Sequence, residues 1–129
     1  MVEIEYPKNP AGEHKEVHVF VDFDGTMAHY DSWEQQGNNV GKPIKPMIEK
    51  IKGWLKKKYK ISVFTARLTH GAVESEKQIG LIQQFLRENG LPDTLPITCM
   101  KMHYMTHQIC DRAFHVVKNT GHIEGNTGL

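Results

Sequence analysis

The sequence predicts an α/β fold, a three-layer sandwich around a mostly parallel sheet. Three observations lead there. Short β-branched and aromatic runs alternate with amphipathic stretches of helical period, in the order β-α-β-α-β-(α)-β. The first run, Val17 to Val21, is apolar apart from His18, as suits a strand covered on both faces. Polar residues that can carry chemistry fall just after the predicted strands, where open α/β sheets build their sites.

The elements follow in order. Met1 to Lys15, with Pro7, Pro10 and Gly12, reads as a lead-in. Val17 to Val21 is the first strand and runs directly into Asp22-Phe23-Asp24-Gly25-Thr26. Ala28 to Lys42 is polar and glycine-containing, a loop or small flap. Pro43 to Lys58 is a helix: Met47, Ile48, Ile51, Trp54 and Leu55 recur at helical spacing, lysines take the other face, and Pro43 or Pro46 suits the first turn. Ile61 to Phe64 is a second strand ending at Thr65-Ala66-Arg67. Ala72 to Glu88 is a second long helix, with Ile79, Ile82, Phe85 and Leu86 on one face and Asn89-Gly90 as its stop. Ile97 to Met100 is a short strand leading to Lys101. A turn or short helix precedes a strand near His107 to Cys110, and His115 to Val117 is a candidate fifth strand. These readings give a lead-in over 1–15, one α/β domain over 16–120 and a mobile tail over 121–129.

Composition sets outer bounds. The chain has 129 residues, is 39% hydrophobic and 24% charged, and carries a formal net charge of +1. One core is expected; disorder, a collagen repeat and a disulfide framework are not. The balanced charge does not favour a general nucleic-acid binder. No apolar run nears the ~18–20 residues that span a bilayer. Met1 to Gly12 carries Glu3 and Glu5 and no apolar stretch, which is not a signal peptide. A cytoplasmic protein with no membrane partner is expected, with Cys99 and Cys110 as free thiols. Charge is uneven, however. Lys42 to Lys60 holds eight lysines and one acid, Glu49, whereas Met1 to Asn39 holds eight acids and two lysines. The lysines read first as a solvated helix face, and secondly as a surface that steers an anionic substrate.

The strand-end residues suggest a reaction. Asp22 and Asp24 are two positions apart at a strand end followed by Gly-Thr. One carboxylate can attack phosphorus and form an acyl-phosphate, while its neighbour moves the proton. Paired acids also suit Mg²⁺, which takes hard oxygen ligands. Thr65 can donate to a phosphoryl oxygen, Lys101 can offset charge on the transferring group, and Asp111 can complete a metal site. That Asp22 and Asp24 merely cap a turn is the blander reading, and three further strand ends bearing fitting residues argue against it.

This set resembles the haloacid dehalogenase superfamily of aspartate-nucleophile phosphatases. Its first motif, D-x-D-G-T after a strand, stands complete as Asp22-Phe23-Asp24-Gly25-Thr26. Its second, a hydroxyl residue ending the next strand, matches Thr65. Its third, a lysine, matches Lys101 by order along the chain. Its fourth, an acidic cluster, falls on Cys110-Asp111. The likeness spans about Val17 to Val117. It implies a Rossmann-like core and a Mg²⁺-dependent phosphohydrolase. Asp22 is then the nucleophile and a metal ligand. Asp24 is the general acid and base, with its backbone carbonyl on the metal, and Asp111 is the third ligand. Thr65 and Lys101 hold the phosphoryl group, and Gly25, Thr26, Ala66 and Arg67 line the substrate. Where many members have two acids, this chain has Cys110 before Asp111, and a thiol is a soft, poor ligand for Mg²⁺.

Larger members carry a cap domain after the first or second motif, and neither stretch here is long enough for one. The site is therefore expected to be open, or roofed by the flap, by a second copy of the chain in a homo-oligomer, or by a large substrate. Tyr30 and Trp33 in the flap either stack on a base or sugar, or tack the flap to the core. Arg67 and Arg112 either reach a second substrate anion or make local ion pairs, and the ion pair is the expectation for Arg112. His103 and His107 have a zinc-like spacing without the glutamate of H-E-x-x-H, and are expected to pack or face solvent. The leading expectation is a phosphatase acting on a phosphorylated small molecule, a nucleotide or sugar phosphate. The alternatives are a nucleic-acid end phosphatase and, because of Cys110, a catalytically weak binding module on the same fold. A phosphoacceptor receiver is set aside, because Ile61 to Arg67 holds no acceptor aspartate.

Overall fold

The computed structural model describes residues 6–37 and 39–129. Its strands are β1 (His18–Asp22), β2 (Lys60–Phe64), β3 (Ile97–Thr98) and β4 (His107–Ile109). Its helices are α1 (Trp33–Gln36), α2 (Lys45–Lys56) and α3 (Ala72–Glu88), with a 3-10 turn over Ala66–Thr69. The four strands form one wholly parallel sheet in the order β3-β2-β1-β4. The α/β class and the parallel sheet thus follow the sequence reading.

The periodicity sets the helices as expected. Pro46 sits in the first turn of α2, where a missing N–H costs nothing. Helix α3 has the bounds read from the sequence. It ends because Gly90 takes a left-handed φ of +72° and the Asn89 side-chain amide donates to the Phe85 carbonyl at 2.8 Å. Strand β3 stops at Thr98, short of Met100. The fifth strand reduces to one antiparallel bridge, Val116 with Ile123. The expected tail folds back there: the Val117 amide donates to the His122 carbonyl and the Glu124 amide to the His115 carbonyl.

Alternation along the strands divides the sheet into two faces. Val19, Val21, Ile61 and Val63 point one way and share a core with Ile48 and Ile51 of α2 and Ile82, Phe85 and Leu86 of α3. Both helices thus pack on one face, as two successive crossovers of the same hand in one direction require. The other face carries His18, Phe20 and Phe64. Phe20 is 1% exposed, and its cover is aromatic: Tyr104 lies 5.9 Å from it and 5.0 Å from His18, and Phe64 lies 6.4 Å away.

Neither long helix reaches this second face, so the expected three-layer sandwich is only partly present. The physical reason is the length of the link. Residues 99–106 must pass from β3 across β2 and β1 to β4. That is ~14 Å sideways at the usual strand spacing, plus the descent from one strand's carboxyl end to the next strand's amino end. Eight residues coiled as a helix reach only ~12 Å, whereas extended they reach ~26 Å or more. The link must therefore run as turns and extended chain. No described helix is long and apolar enough to cross a membrane.

Candidate active site

The jump from β3 back to β4 leaves β1 and β4 as neighbours reached from opposite directions. Open parallel sheets form their crevice at such a switch, outside the carboxyl ends of the strands. Asp22 closes β1 and Cys110-Asp111 follow β4, so the sequence delivers acids to both sides of that crevice.

The loop after β1 is held by its backbone. The amides of Thr26, Met27 and Ala28 all converge on the Phe23 carbonyl, and the Gly25 amide donates to the Ala28 carbonyl at 2.8 Å. Gly25 has φ +83°, and a Cβ there would come within 2.6 Å of Asp111 Oδ2. The glycine of the first motif thus serves both the turn and the close approach of the fourth motif. Phe23 is fully buried beneath the loop, edge-on to Phe85 at 5.0 Å.

Asp22, Cys110 and Asp111 bring one potential ligand atom each to within 4.8 Å of one another. Thr26 Oγ1 donates weakly toward Asp22 Oδ2 at 3.4 Å and Asp111 Oδ1 at 3.5 Å. Burial pushes the Asp22 carboxyl up to about 7, aided by a hydrogen bond with Asp111 and by the negative charges of Asp111 and Asp24. Among the described residues, neither Asp22 nor Asp111 makes an ion pair. Crowded carboxylates without a counter-charge suit a hard cation. Asp22 and Asp111 fit Mg²⁺, and the Cys110 sulfur does not.

Asp24 takes a different partner. Both its oxygens are bound by Arg67, from Nε at 2.7 Å and Nη2 at 2.8 Å. The same guanidinium donates to Gln78 Oε1 of α3 at 2.8 Å and to the Asn39 carbonyl of the flap at 3.0 Å, and lies over the Phe23 ring. Arg67 is therefore a buried clamp with its donors engaged, rather than an arm extended to a second anion. Thr65 is buried and accepts from the Arg67 amide at 3.1 Å, which leaves its own proton to donate.

These groups meet at a cleft of about 270 Å³ lined by Asp22, Asp24, Thr65, Ala66, Arg67 and Cys110, and also by Tyr30, Trp33, Gly37, His70 and Arg112. Four strand-end residues expected together, Asp22, Asp24, Thr65 and Asp111, are brought together there or at its edge. Lys101 is not. It is exposed in the 99–106 link, makes no ion pair among the described residues and does not line the cleft. The early end of β3 at Thr98 turns the chain away before Lys101. Arg112 departs the other way: it makes no ion pair among the described residues and stands exposed on the cleft wall. His103 packs edge-on to Tyr104 while His107 lies in β4, so they share no helix face. Sequence reasoning missed His70 and Gln78. Neither carries a motif, and only the 3-10 turn and the start of α3 bring them to the site. No family model, no curated protein and no solved structure matches this chain.

Proposed function

We propose that the protein is a Mg²⁺-dependent phosphatase that hydrolyses a phosphomonoester through an aspartyl-phosphate at Asp22. The observation that carries the reading is the meeting of Asp22, Asp24, Thr65 and Asp111 at the carboxyl ends of a parallel sheet, with the Asp22 carboxyl pushed up to about 7. A group so placed is a functional candidate on physical grounds. On this reading the fold is a Rossmann-like sandwich whose third layer has shrunk to the 99–106 link.

Asp22 and Asp111, with the backbone carbonyl of Asp24, would hold the cation. Bound there, Mg²⁺ would supply the positive charge that favours ionised Asp22 and draws electrons from the phosphoryl oxygens. Ionised Asp22 attacks phosphorus; the Oδ–P bond forms as the bond to the leaving oxygen breaks. The Thr65 hydroxyl donates to a phosphoryl oxygen. Asp24 protonates the departing oxygen and then takes a proton from the water that attacks the aspartyl-phosphate, releasing inorganic phosphate and restoring Asp22. For this the Asp24–Arg67 pair must loosen, so substrate entry is coupled to movement of the 3-10 turn or flap.

Hydrolysis of a panel of phosphomonoesters with Mg²⁺ tests the proposal. Wild-type turnover is expected, falling on the order of 10³-fold or more in Asp22→Asn. Turnover equal in both proteins would remove the proposal. Cys110 favours a second reading, a catalytically weak phosphate-binding module, because its sulfur occupies a place among the putting-together of Asp22 and Asp111 where a carboxylate would serve Mg²⁺ better. In that case Cys110→Asp raises turnover from near zero.

A further inference from the structure

The cleft lining includes the aromatic rings of Tyr30, Trp33 and His70, which the chemistry above does not use. Trp33, in the single turn of α1, is 56% exposed although indole is among the most costly groups to leave in water. Among the described residues its one ring neighbour is His70, stacked at 6.2 Å with planes 29° apart. Both rings line the same cavity as Asp22 and Thr65. Arg112 stands beside them, exposed and making no ion pair among the described residues.

A second set of observations shows that this wall is held in place. The flap is tied at its base by the His29 amide to the Lys42 carbonyl at 2.7 Å and by the Ile44 amide to the Met27 carbonyl at 2.8 Å. Gln36, at the end of α1, donates to the carbonyls of His29 and Asn39, and Asn39 accepts in turn from Arg67. The exposed indole therefore sits on a braced loop that is bonded to the acid/base pair.

We infer that Trp33 and His70 form a stacking platform for a nucleobase, so that the substrate is a nucleotide phosphomonoester with its phosphate at Asp22 and its base against the indole. The inference rests on the phosphatase reading for its phosphate end and on the aromatic wall for its base end. Planar π faces hold any base, and the exposed guanidinium of Arg112 offers a further stacking plane or a charge for a neighbouring phosphate. A sugar alone asks for directional hydrogen bonds to its hydroxyls, which Tyr30, His70 and Arg112 in the lining could also supply, so ribose phosphate is the discriminating substrate. The same chemistry arises from a free mononucleotide or from the phosphorylated end of a single strand, which the open cleft also admits.

The test compares AMP, an end-phosphorylated oligonucleotide and ribose phosphate as substrates of wild type, Trp33→Ala and Trp33→Phe. The expected result is a kcat/KM preference for the base-bearing substrates that drops roughly tenfold in Trp33→Ala and returns in Trp33→Phe. The base-bearing substrate with the larger drop identifies the source. A tether without a binding role would move all three substrates together, so an unchanged ratio overturns the platform while leaving the phosphatase reading intact. AMP binding is followed separately by equilibrium dialysis in the Asp22→Asn background. AMP binding that weakens roughly tenfold with Trp33→Ala and returns with Trp33→Phe, in a protein that hydrolyses none of the three, keeps the platform and removes the phosphatase. Neither binding nor hydrolysis overturns both.

Discussion

Asp22 is a carboxylic acid placed where ionising is costly. Burial comes first among the causes, then Asp111, then Asp24, and together they push it up to about 7. An ordinary carboxyl in the unfolded chain titrates near ~4. Between those values the folded protein binds more protons than the unfolded one, so stability is full at low pH and is lost as pH rises through about 7. The expected outcome, in the presence of a chelator, is a Tm that falls from pH ~5 to pH ~8 in wild type and falls less in Asp22→Asn. His107 works in the opposite sense, because burial pushes its imidazole down, but it is common to both proteins and cancels in the comparison. Mg²⁺ added at the higher pH should recover the lost Tm in wild type and not in Asp22→Asn, because a cation that takes the proton's place stabilises the folded state by linkage. Equal slopes in the two proteins would show that Asp22 is not the group responsible. The first motif was readable at this scale because its residues are contiguous. The fourth was readable only as an acid after a strand, and the Gly25–Asp111 contact that joins the two appears only in three dimensions.

At the scale of elements, the 3-10 turn after β2 decides how Asp24 is held. It follows Thr65, whose hydroxyl accepts the Arg67 amide, and it sends the Arg67 side chain back over Phe23 to Asp24 and Gln78. One guanidinium thereby joins the β1 loop, the 3-10 turn, α3 and the flap. A planar five-donor fork suits this and an ammonium does not. Arg67→Met should cost about 3 kcal/mol of stability, the lower end for breaking a buried pair, because Asp24 keeps some access to water. Arg67→Lys should keep the charge and still lose a good part of that stability. Urea unfolding of Arg67→Met, Asp24→Asn and the double variant gives the coupling between the two, and additive losses would contradict the clamp. The sequence held the helices plainly: α3 was bounded by periodicity and its Asn-Gly stop. The Arg67–Asp24 pair was not legible, since the partners lie 43 residues apart and nothing local marks the turn that aims the arginine. Lys101 shows the converse. It was placed by order along the chain, and order does not specify where a strand ends. Strand β3 has two residues, and the chain turns off before the lysine.

For the molecule as a whole, the unequal cover of the two sheet faces is the governing feature. The helical face was legible from the alternation of strand residues and from two amphipathic helices. The second face was expected to match it, although the eight residues between β3 and β4 are too few to cross the sheet as a helix. What takes the helix's place is Tyr104, still 41% exposed, resting on Phe20 and His18 and flanked by His103. Together with Phe64, this ring covers Phe20 in an inner strand that also carries Asp22. Tyr104→Ala should therefore cost about 1–2 kcal/mol, the sum of two aromatic contacts and partial wetting of Phe20. Tyr104→Phe should be close to neutral, because the cover is made by the ring and no hydrogen bond of the phenol is needed for it. Phe20→Ala should cost about 3–5 kcal/mol, since it removes the covered group itself. If Tyr104 protects Phe20, the Tyr104→Ala and Phe20→Ala losses will be less than additive, because the second substitution removes what the first exposes. Fully additive losses in urea unfolding would mean that the 99–106 link adds contacts of its own without sealing the sheet, and that the second face is wet beside the strand that carries Asp22.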